Sequence, residues 1–162
     1  MRISKVIIPH LTQNFKSCIV KLRVVFLMVE VINMELTTLD ANMRALLALN
    51  PRLECHGLTL TSGEAAQIAE SHAHSLARAD RMEFAPGALA KLAETFSDAP
   101  DVRREDFADT LCDLIDLFYQ LKNEWEDRIP DDDLMGRMRT LFDDPCHGSV
   151  ALLADLLGGK GA

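Results

Sequence analysis

The stretch Asp106 to Asp127, DFADTLCDLIDLFYQLKNEWED, constrains the fold more than any other. Phe107, Leu111, Leu114, Phe118, Leu121 and Trp125 recur at alternating spacings of four and three. That rhythm is the apolar seam of an amphipathic helix. Asp106, Asp109, Asp113, Asp116, Gln120, Asn123 and Asp127 follow the same rhythm on the opposite face. One stripe requires a core, and the other requires water or a cation.

The rest of the chain supplies shorter helices to cover the apolar stripe. Thr38 or Asp40 is placed to cap a first helix, in which Leu39, Met43, Leu46 and Leu47 share a face and which Pro51 stops. Arg52 to Leu60 reads as a loop. Thr61-Ser62-Gly63-Glu64 is a capping box opening a helix to about Arg81, with Ala65, Ile68, Ala69, His72, Leu76 and Ala79 inward. Pro86 suits the first turn of the next, whose inward residues are Leu89, Leu92, Ala93 and Phe96. After the main helix, Asp131 to Asp133 set carboxylates at the positive end of another, with Leu134, Met138 and Leu141 inward. Ser149 caps a last helix carrying Leu152, Leu153, Leu156 and Leu157. The body shows no strand alternation, repeat or long linker. The expected fold is all-α: a single compact bundle of about six helices around one long central helix, over residues 34–157.

Charge is unevenly distributed. Residues 1–33 carry a net +4, so the net −8 of the whole leaves −12 for the rest. Lys21 and Arg23 interrupt any signal-peptide core, and Val24 to Val29 is far short of the roughly 20 residues a membrane span needs. Val29-Glu30-Val31-Ile32 can be encoded by codons that form a strong bacterial ribosome-binding site before Met34. Residues 1–33 are therefore expected to be a mis-annotated leader, disordered or not translated, and residues 158–162 a flexible tail. The acidic balance argues against nucleic acid as a partner. No membrane association is expected. The body holds Cys55, Cys112 and Cys146 without a CxxC pattern or export signal, which points to a reducing cytoplasm.

GLTLT, RMEF, DLFYQLKNE, DDDLM and the CHGS loop, in this order, resemble an uncharacterised bacterial family, domain of unknown function 6323, of Firmicutes-type bacteria. The resemblance covers about Gly57 to Leu157. It implies no known activity and lends no catalytic residues.

Candidate chemistry is sparse. Cys55-His56 and Cys146-His147 could ligate a metal only if their two loops met in space. His72 and His74, two apart on a helix, point to nearly opposite sides. Asp131 to Asp133 fail as a calcium loop, because Met135 and Phe142 occupy ligand positions. No nucleophile elbow, phosphate loop or dinucleotide fingerprint is present, and no cofactor is expected. Asp109, Asp113 and Asp116 are like charges at helical neighbour spacing, each pair costing about 0.2–0.5 kcal/mol. With Asn123 and Glu124 they form a candidate docking face for a protein with a basic surface. The plainer reading is a solvated face that keeps a Leu- and Ala-rich chain soluble. The sequence therefore points to a small protein-interaction or regulatory module, with catalysis left open. The alternative is a metal-dependent enzyme built on the two Cys-His loops. A homodimer through spare apolar surface is compatible with the first.

Overall fold

A computed structural model describes residues 36–83 and 87–158. The expectations for residues 1–33, for Pro86 and for most of the tail fall outside the described residues. The chain divides into two compact units, Met1–Thr37 and Thr38–Ala162; the elements that follow lie in the second, apart from the first two residues of α1. Residues 36–48 are helical (α1), and α2 is the single turn Asn50–Leu53 followed by a 3-10 turn. Then come α3 (Ser62–Arg78), α4 (Gly87–Phe96), α5 (Phe107–Glu124), α6 (Asp131–Asp143) and α7 (Val150–Gly158). Among the described residues there is no strand, so the all-α expectation holds.

Local chemistry explains most of the boundaries. The Thr61 hydroxyl accepts from the Glu64 amide and the Glu64 carboxylate accepts from the Thr61 amide, which completes the capping box. Ser149 Oγ accepts from the Leu152 amide at 3.3 Å at the start of α7. Three aspartates occupy the first turn of α6. Three boundaries differ from expectation. α1 is already helical at Leu36, so neither Thr38 nor Asp40 caps it. Pro51 begins the α2 turn instead of ending α1, since a proline in the first turn forfeits no helical hydrogen bond. α3 also stops at Arg78, where Asp80 turns left-handed (φ 52°) and the Arg81 amide closes back on Leu76 O.

α5, the longest of these helices, packs most extensively on α3. Its partners advance together along both helices, from Gln67 with Asp109 to Arg81 with Asn123, so the two run parallel. Phe107, Leu111, Leu114, Phe118 and Leu121 are buried, whereas Trp125, the last residue of the seam, is only half-buried. Phe96 of α4 meets Phe142 of α6 edge-on at 5.2 Å. Leu58 and Leu60 are buried without a strand partner, because the Asn50 amide both donates to Leu60 O and accepts from Leu60 N. α7 buries Leu153 and Leu157 but leaves Leu152 and Leu156 exposed, since a short surface helix can bury only one face.

Candidate functional site

The α5 polar face lies at the edge of the α3–α5 seam. Asp109 Oδ1 accepts from Gln67 Nε2 at 2.7 Å. Asp116 accepts from the Ser75 hydroxyl and pairs with Arg78. Asn123 accepts from Arg81 at 3.0 Å and donates to Ala79 O at 3.2 Å. Glu124 accepts from Gln120 on its own helix. Asp113 is exposed and has no hydrogen-bond or ion-pair partner among the described residues. Partial burial, then Asp116 and Asp109, lift its carboxyl above the usual range. Of the five docking candidates, three are thus bonded to α3 or its C-terminal connector.

Cys55, His56 and His147 are exposed, while Cys146 is buried and burial pushes its thiol up, away from the thiolate a metal requires. Gly148 (φ 81°) turns the Cys-His loop over Asp101, where an added Cβ would lie 2.6 Å from Asp101 Cβ. Among the described residues no three His, Cys, Asp or Glu side chains cluster in a way that could hold a metal. The loops do not build the gathering that the metal alternative requires.

A polar hub beneath the seam is less visible in the sequence. His72, only 1% exposed, accepts at Nδ1 from the Asn42 amide at 3.2 Å. Its Nε2–H then donates to the Tyr119 hydroxyl at 2.9 Å, which donates to Glu83 Oε1 at 2.7 Å. Glu83 Oε2 lies 3.5 Å from that nitrogen and has no hydrogen-bond partner among the described residues. Burial works to raise the Glu83 carboxyl, but the nearby His72 ring and the bond from Tyr119 outweigh it and hold the group below its ordinary value. Burial and then the Glu83 charge push the Tyr119 hydroxyl strongly up. The hub joins α1, α3, α5 and the α3–α4 connector. His72 was legible as an inward residue. Tyr119, the single tyrosine, adjoins Phe118 and gave a weaker signal. Asn42 and Glu83 gave none.

An open groove of about 1030 Å³ lies where the end of α5 meets α6 and α7. Trp125, Ile129, Leu141 and Leu157 supply its apolar lining. Asp133 and Arg137 stand exposed among the lining residues, with the α6 backbone bare between them at Gly136. Lys122 ties the neighbouring turn to α6. It is buried and pairs with Asp127 at 2.9 Å and Asp131 at 2.7 Å.

Fold and sites together define a small all-helical bundle with one buried polar hub and one open groove. Residues 45–158 match the profile of a family of unknown function, DUF6323, and the chain belongs to that family. No curated protein and no solved structure matches it. Among the described residues no helix is long and apolar enough to cross a membrane.

Proposed function

We propose that the chain is a protein–protein interaction module whose docking surface is the α6 groove. The carrying observation is the groove's make-up: the single tryptophan, half-exposed, beside Ile129, Leu141 and Leu157, with Asp133 and Arg137, unpaired among the described residues, in the same lining. Aromatic and arginine side chains dominate interface energetics, and a groove with apolar lining receives the apolar face of a helix. The free thiols Cys55, Cys112 and Cys146 suit a reducing, cytoplasmic setting. A photo-crosslinking amino acid at Thr140, which lines the groove, should capture a protein in cells. The same probe at exposed Glu70 on α3 should not. Equal labelling at the two positions would sink the assignment.

A second docking reading rests on Asp113, whose carboxylate has no counter-charge among the described residues and lies beside Asp109 and Asp116. A basic partner surface would relieve that repulsion. Asp113→Lys should then abolish partner capture with the fold intact, and unchanged capture removes the α5 face from the reading.

A further inference from the structure

We propose that two copies of this chain pair through the α6 groove, antiparallel about a two-fold axis midway between Asp133 and Arg137, beside Gly136. The proposal rests on the docking reading above and names its partner. α6 shows Asp133, Gly136, Arg137 and Thr140 to solvent along one face. Asp133 and Arg137 have no ion-pair or hydrogen-bond partner among the described residues. An acid four residues before a base is the order that favours closure on one helix, yet the two do not pair with each other. A two-fold interface must be self-complementary, each patch meeting its own reverse. Reversing α6 on itself about the midpoint of these two residues, one position from Gly136, sets each Asp133 against the Arg137 of the other copy. A foreign helix would have to bring that matched pair of charges; a second copy supplies it by symmetry.

Gly136 fits this role. A Cβ built there meets nothing within 4 Å, and its φ is not in the left-handed region. Neither conformation nor packing within the protomer requires glycine at this position. Without a side chain there, two helix backbones can approach closely, and Thr140 extends the narrow strip by one turn. The pairing covers Trp125, Ile129, Leu141 and the exposed edge of α7.

Sedimentation velocity on the full chain tests the pairing. The unaltered chain should sediment as a dimer that weakens with salt. Asp133→Arg and Arg137→Asp should each weaken association by about a hundredfold or more, because like charges then meet twice. Circular dichroism should show both variants folded. Mixing the two should restore a dimer, because a patch with two arginines then meets a patch with two aspartates. A monomeric unaltered chain overturns the pairing, as does a dimer indifferent to both substitutions or a mixture that stays monomeric. The Thr140 crosslink separates this failure from that of the docking reading. An adduct of another mass, from a chain that sediments as a monomer, overturns self-pairing alone. No adduct at Thr140 removes both.

Discussion

The α3–α5 seam and the α6 groove are both built from amphipathic helices, yet they resolve their polar residues in opposite ways. In the seam, Asp109, Asp116 and Asn123 each meet a group from α3 or its connector. In the groove, Asp133 and Arg137 meet nothing among the described residues, and the apolar lining stays half-covered. A charged stripe in a sequence therefore does not by itself mark a binding face. Charges left unanswered once the helices have packed are the better indicator.

The sharpest way to break this comparison is to cut one side chain at the seam and one at the groove. Phe118 is 1% exposed at the seam, whereas Trp125 is half-buried at the groove. Phe118→Ala should destabilise the bundle by about 3–5 kcal/mol through lost burial and a cavity. Trp125→Ala, cutting a larger side chain, should cost clearly less in the isolated chain and more in association. Urea unfolding of both variants gives the answer. Equal losses would mean that Trp125 is core and the groove is closed.

That contrast also marks what the sequence could reveal. The period of α5 made its buried face legible from Phe107 to Leu121, because burial follows spacing. The capping box at Thr61 and the Ser149 cap were legible because they are local. Trp125 continued the period but escaped burial. Whether a seam residue is covered depends on how α6 and α7 close over it, and spacing carries no such information. The acidic stripe was visible as a pattern. Its commitment to α3 was not, because Gln67, Ser75, Arg78 and Arg81 lie about forty residues away and carry no register signal. The hub was hidden for the same reason. Asn42, His72, Glu83 and Tyr119 come from four elements that only tertiary packing brings together.

The hub offers the next largest effect. Tyr119→Phe removes the hydroxyl that receives the His72 Nε2–H and donates to Glu83. Buried His72 and half-buried Glu83 each then lose a partner, at a cost of about 1–3 kcal/mol. Gln67→Ala breaks the exposed Gln67–Asp109 bond and should change stability by no more than about 0.5 kcal/mol. If the two substitutions cost the same in chemical denaturation, the buried hub adds nothing beyond the surface contacts of the seam.

A smaller effect depends on pH. Hydrogen bonds from Arg81 and then Lys122 hold the Asp127 carboxyl at about 2, against an ordinary 3.8. The folded state therefore binds this proton less readily than the unfolded chain. The stabilisation is complete above the ordinary value and drains away as pH falls from about 4 toward 2. Because half of the Asp127 side chain is exposed, the contribution is at most about 1 kcal/mol. Asp127→Asn should flatten the fall of thermal stability in that window and leave the slope above pH 5 unchanged. An unaltered acid slope would show that the Arg81–Asp127–Lys122 contact does not hold in solution.

Gly136→Ala is the mildest change and the most informative about the groove. Glycine inside an exposed helix lowers stability by about 0.5–1 kcal/mol relative to alanine. The space beside Gly136 is open and its φ is not left-handed, so the new methyl group meets no obstacle within the protomer. The isolated fold should gain roughly that amount, measured by denaturation at a concentration where the chain is monomeric. Association through α6 should weaken at the same time, because the methyl group holds two helices apart. Opposite signs in the two measurements would show that α6 trades its own stability for close approach by another helix. A gain in both would mean that nothing packs against Gly136, and the groove would then be an open surface.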